Sequence, residues 1–124
     1  MSDYALRAWM PTGNTIAITA ATTPPDGVQC LPGAVGNEPG AVGGGPVQYR
    51  VHNAGSVYAY LAFGATNTAA VTNADTAPAS GTPQPNYPLP PGGIEILTFP
   101  RTHYFSAGTA SSTATVFMTP GKGV

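Results

Sequence analysis

This sequence has almost no charge. Of 124 residues, four are Lys or Arg and five are Asp or Glu, so charged side chains make up 7% of the chain, against roughly 25% in ordinary globular domains. The net charge of −1 offers no electrostatic footprint for nucleic acid, because Arg7, Arg50, Arg101 and Lys122 are scattered rather than clustered. Cysteine is nearly absent as well. Cys30 is alone and cannot form an internal disulfide; with no His or Lys beside it to lower its pKa, it reads as an inert buried thiol. No apolar run approaches the roughly eighteen residues of a membrane span, and MSDYALRAWM lacks the basic-then-apolar pattern of a signal peptide. Neither a nucleic-acid nor a membrane partner is expected, nor is secretion.

Chemistry-bearing motifs are missing too. The candidates for acid, base or ligand work are His52, His103, Asp26, Asp75, Glu38 and Glu95, and no His-x-His or Cys-x-x-Cys spacing joins them. Gly43-Gly44-Gly45 lacks the lysine and following helix of a phosphate loop, and Asp26-Gly27 with Asn73-Ala74-Asp75 misses the spacing of a calcium loop. There is no nucleophile elbow around any serine. The sequence therefore predicts no enzyme, no cofactor and no metal site.

What is present is a strand-and-turn chain. Gly and Pro number 16 and 14, and 42% of residues are hydrophobic, enough to build a core between the turns. The length fits one domain. NTIAITAATT alternates Ile16 and Ile18 with small residues, as in a half-buried strand, and IEILTF sets Ile94, Ile96 and Thr98 against Glu95, Leu97 and Phe99. HYFSA and TATVFMT read as a closing hairpin. Shorter strand candidates lie at Val28–Leu31 and Asn67–Thr72, and two Gly/Pro-rich loops cover Gly33–Gly45 and residues 82–91. Six strands, two shorter candidates and no long helix predict an all-β fold: a single-domain antiparallel β-sandwich, jelly-roll-like, over residues 15–124. Residues 1–14 read as an N-terminal arm, because Pro11-Thr12-Gly13-Asn14 breaks the chain after Tyr4, Leu6, Trp9 and Met10.

VQYRVHNAGSVYAYLAFG, residues 47–64, reads as a β-hairpin. A three-residue loop Asn53-Ala54-Gly55, with a left-handed glycine, pairs Val51 with Val57, Tyr49 with Ala59 and Val47 with Leu61. Loops of two or four residues would bury Arg50 and His52 beside Leu61, so the period of two selects three. The opposite face then carries Gln48, Arg50, Tyr58 and Tyr60, more aromatic than a solvent face needs.

VHNAGSVYAYLAFG, LPPGGIEILTF and THYFSAGTASSTATVFMTPGKGV together resemble small structural proteins of tailed bacteriophages, over roughly residues 45–124. The matching features are an Asn-x-Gly turn, a strand ending in Phe-Gly, a Leu-Pro-x-Gly turn into an apolar strand, and a Thr-His strand before a Thr-rich one ending near Pro-Gly-x-Gly. The resemblance implies a head decoration, or cement, protein: a β-sandwich homo-oligomer, dimer or trimer, on the capsid exterior of the virion, made in the host cytoplasm, with the major capsid protein as partner. Tyr4, Leu6, Trp9, Met10, Arg50, Tyr58 and Tyr60 are the expected partner-binding residues. The alternative is a receptor- or carbohydrate-binding part of a tail or fibre, with Trp9, Tyr58, Tyr60 or Tyr87 as stacking platforms. A surface this poor in charge, with apolar residues on both sides of IEILTF, predicts an oligomer at micromolar concentration. Light scattering that returns the monomer mass counts against this expectation.

Overall fold

The structure, a computed structural model, describes residues 9–11, 13–29, 47–99 and 103–122. Among these residues the strands are β1 (Met10–Pro11), β2 (Ile16–Ala20), β3 (Val28–Gln29), β4 (Val47–Asn53), β5 (Ala59–Gly64), β6 (Tyr87–Leu89), β7 (Ile94–Phe99), β8 (Tyr104–Gly108) and β9 (Ala114–Lys122), with one helix, α1 (Asn67–Ala74), between β5 and β6. They form two antiparallel sheets. A five-stranded sheet runs β1-β9-β4-β7, with β2 also paired to β9, and a four-stranded sheet runs β3-β8-β5-β6. The all-β sandwich expected from the sequence is the architecture observed.

The strand pairing differs from the expected hairpins. β4 pairs with β7 and β9 in one sheet, while β5 pairs with β6 and β8 in the other. Residues 54–58 therefore carry the chain from sheet to sheet. HYFSA and TATVFMT are separated in the same way, since β8 and β9 belong to different sheets. The physical reason is the core. In a hairpin, Tyr49, Val51, Ala59 and Leu61 would share one exposed apolar face needing a cover; across a sandwich they cover one another, and all four are buried. Gly55 is not left-handed, and the positive-φ glycines among the described residues are Gly81 and Gly92. Gly55 instead lies where a Cβ would collide with Ala114, so glycine lets the connection after β4 pass close to the start of β9.

The core is built from alternate residues of both sheets. Ile18, Tyr49, Val51, Val116 and Met118 face Leu61, Leu89, Phe105 and Ala107, with the Tyr49 and Phe105 rings edge-to-face at 6.0 Å. Leu97 packs at the margin of this cluster.

Asn67–Thr72, expected as a short strand, is helical. Thr66 caps the helix by accepting from Ala69 N at 3.1 Å, and Ala70 and Ala74 are its buried face. The helix lies on the outside of the four-stranded sheet, against positions where the strands have glycine: a Cβ at Gly64 would strike Ala69 and Ala70, and one at Gly108 the Ala74 carbonyl. Residues 24–27 complete this roof, with Ser106 Oγ donating to Pro25 O at 2.7 Å and Gly27 N to Asn67 Oδ1.

The sheets are joined at one end by a buried amide. Asn53, fully buried, donates from Nδ2 to Val57 O at 2.8 Å and to Leu89 O at 2.9 Å, and its Oδ1 accepts from Gly55 N at 2.9 Å. Its backbone N–H donates to Gly93 O and its carbonyl accepts from Gly92 N. The adjacent Ala54 N donates to Thr115 O. Asn53→Ala leaves buried carbonyls without donors, each worth ~1–3 kcal/mol, so urea unfolding is expected to show a loss of about 3–5 kcal/mol. Thr68→Ala, exposed on the helix, is expected to stay within about 0.5 kcal/mol of the parent. Equal effects from the two substitutions would contradict a central role for Asn53.

Candidate functional site

Once the core is filled, the two outer faces of the sandwich differ. The outer face of the four-stranded sheet is roofed by α1 and residues 24–27. Among the described residues, nothing comparable lies over the outer face of the five-stranded sheet. Register places its side chains in transverse rows: Ala17, Phe117, His52 and Ile94 in one, and Thr119, Arg50 and Ile96 in the next. Phe117 is 37% exposed and Ile94 47%. The His52 ring leans on Phe117, with centroids 6.4 Å apart. Arg50 is the permanent charge of these rows, where a solvated antiparallel sheet ordinarily carries several.

Trp9 adds to this face. β1 pairs with β9, Met10 opposite Lys122 and Pro11 opposite Gly121, and the Trp9 indole lies where a Cβ of Gly121 would stand. Trp9 is half-buried, and its Nε1 is buried without a hydrogen-bond partner among the described residues. Met10 is 58% exposed. The later part of the expected arm is thus an edge strand of the protein's own sheet. Tyr4 and Leu6 lie outside the described residues.

Tyr58 and Tyr60 do not share a face with Arg50. The expected stacking of Arg50 on Tyr58, and of Gln48 on Tyr60, required the hairpin; with β4 and β5 in separate sheets, Arg50 pairs with Ile96 and Thr119, and Tyr60 with Pro88 and Gly108. Tyr58, 50% exposed, and the half-buried Tyr60 instead line a shallow recess of about 370 Å³ with Ser56, Val57, Pro91 and Ser111. Tyr87 lies in β6, 39% exposed, and does not line this recess.

The titratable candidates remain apart. His52 is on the open face, while His103 is half-buried with Nδ1 lacking a partner among the described residues. Asp26, Asp75 and Glu95 are exposed at separate places, and Glu38 and Cys30 lie outside the described residues. No three His, Cys, Asp or Glu side chains converge among the described residues. No helix among them is long and apolar enough to cross a membrane.

Sequence reasoning had no place for Phe117, although a signal exists. In ATVFM, Ala114, Val116 and Met118 keep the inward phase, and an aromatic residue falls in the outward phase where Thr115 and Thr119 also lie. The contact at Gly121 yields a direct test, since Trp9 is the sole tryptophan. Gly121→Ala is expected to displace the indole, giving red-shifted emission and stronger acrylamide quenching at a cost of about 1–3 kcal/mol. Unchanged emission would mean that Trp9 is not held on β9.

Comparison with known proteins gave no match, whether against family models, curated proteins or solved structures.

Proposed function

We propose that this chain is a non-enzymatic structural protein of a tailed-phage virion, seated on the capsid exterior as a decoration or cement protein, and that its sandwich is a jelly roll. The observation that carries the proposal is the open outer face of the five-stranded sheet, where Phe117, Ile94 and Ile96 stand in neighbouring rows with Arg50 as the permanent charge. Exposed large apolar side chains on both flanks of an uncovered sheet face point to an interaction surface, and aromatic residues with arginine are enriched where interfaces form. The jelly-roll reading is supported by the strand orders, β2-β9-β4-β7 and β3-β8-β5-β6, with the chain changing sheets at nearly every connection.

The mechanism is binding alone. A protein that attaches to the assembled shell, and not to free capsid subunits, stabilises the shell by mass action. Low charge suits it, because close-set copies repel one another little. The partners in this reading are the major capsid protein and sister copies in a dimer or trimer. Arg50 stands within the face and Trp9 lies at its edge over Gly121, while Met10, paired with Lys122 in the opposite phase of the strand, and Tyr58 and Tyr60 lie elsewhere.

Phe117→Lys and Ile94→Lys are expected to leave the circular-dichroism spectrum intact while weakening association with purified capsids by about tenfold or more, the equivalent of one buried apolar side chain. Unchanged capsid binding by both variants overturns the assignment of this face. Mass spectrometry of purified virions tests the location: a copy number comparable to that of the major capsid protein is expected, and a handful of copies would place the protein in the tail.

A further inference from the structure

The recess between Tyr58 and Tyr60 has a character of its own, apart from the open sheet face. It forms where separate connections meet: residues 54–58 supply Ser56, Val57 and Tyr58, residues 109–113 supply Ser111, and the turn before β7 supplies Pro91. These walls are fixed. Asn53 holds Val57 O and Gly55 N, and its backbone is paired to Gly92 and Gly93. Flanking the lining residues Ala110 and Ser111, Thr109 Oγ1 donates to Ser112 O at 2.6 Å, and Ser112, with φ 63°, is the left-handed non-glycine residue among those described. A left-handed serine costs energy that the surrounding structure must supply, and such positions cluster at binding sites.

The lining combines two phenol rings, the apolar Val57 and Pro91, and the hydroxyls of Ser56 and Ser111, with no charged residue. At about 370 Å³ it lies at the small end of ligand pockets, roughly 300–1,000 Å³. Each feature narrows the ligand. A nucleotide would stack on tyrosine, but its phosphates would find no cation here. A proline-rich segment is extended and docks along a row of aromatic grooves, whereas this is one compact recess bounded by separate chain connections. A sugar ring fits the whole set: its C–H face is apolar and suits a tyrosine ring, and its rim of hydroxyls both donates and accepts, as serine and tyrosine hydroxyls do.

We infer that the Tyr58–Tyr60 recess binds a neutral saccharide of one or two rings. The two rings form the platform, and Ser56 and Ser111 meet the sugar hydroxyls. Because no carboxylate or amide lines the recess, affinity is millimolar, useful when many copies on one particle engage a polysaccharide together. The inference stands apart from the capsid reading, because it concerns the recess and not the open sheet face.

The test uses the full chain, isotope-labelled, titrated with maltose, lactose, chitobiose, mannobiose and rhamnose at millimolar concentration and followed by amide NMR. The expected result is saturable shifts at Ser56, Tyr58, Tyr60 and Ser111 with at least one sugar. Tyr58→Ala and Tyr60→Ala should weaken that binding by about tenfold or more, while Tyr87→Ala, outside the recess, leaves it unchanged. Tyr58→Phe, which keeps the ring, should retain most of it, so that loss through misfolding is told apart from loss of the platform. The inference is overturned if no sugar shifts these residues, if the shifts survive both alanine variants, or if decaproline moves the same residues when the sugars do not. Sugar binding without high virion copy number would retain this inference and sink the capsid reading; the reverse result would do the opposite.

Discussion

A sandwich whose chain keeps changing sheets must turn corners inside itself, and each corner brings backbone polar groups into a place with little water. Buried N–H and C=O groups have to find partners. At the corner after β4 that task falls to one side chain, the carboxamide of Asn53, which supplies two donors and an acceptor and spends them on Val57 O, Leu89 O and Gly55 N. A carboxylate offers no donor, and an aliphatic side chain offers nothing. The separation of β4 from β5, the mutual burial of Tyr49 and Leu61, and the meeting of connections around Tyr58 all follow from that corner being satisfied.

The two outer faces show how side-chain size divides the surface. Beneath the helix and residues 24–27, the outward positions of the four-stranded sheet include the small Ala62, Gly64, Ser106 and Gly108, all buried. Small residues there let a helix backbone come down onto the strands, and the helix answers with alanines. On the five-stranded sheet the outward positions are Phe117, His52, Ile94, Arg50 and threonines, too large for such a roof. One face is thus closed by its own chain, and the other presents side chains of the size that other proteins contact.

The alternation of side chains along β4 and β5 was legible in the sequence, and the partner of each strand was not. Tyr49, Val51, Ala59 and Leu61 point inward and Arg50 and Tyr58 outward, as the alternation from 47 to 60 predicts. Alternation with a period of two is the same whether the next strand lies beside its predecessor or across the core from it. The difference rested on Asn53, which reads equally well as a turn residue and as a buried cross-link. Helix α1 was hidden for another reason: NTAAVTNA has no stripe of large apolar residues, and its signals are the cap at Thr66 and two alanines one turn apart. Tyr58 and Tyr60 were legible as exposed aromatics, whereas their meeting with Pro91 and Ser111 arises from connections far apart in the chain and leaves no local pattern.

The position of β9 in the five-stranded sheet bears on how the chain can be made. β9 follows the other described strands in sequence, yet it stands between β4 on one side and β1 and β2 on the other. During synthesis β1 and β2 have no described neighbour to join until residues 114–122 leave the ribosome, and β4 must wait for β7, since none of the described strands is joined to its partner by a tight hairpin. Pairings so distant must overcome loop closure before they gain hydrogen bonds, which places such topologies among the slow folders, on the order of milliseconds to seconds. Until then the nascent protein carries β1, β2 and one edge of β4 unpaired, with few charges to keep neighbouring chains apart.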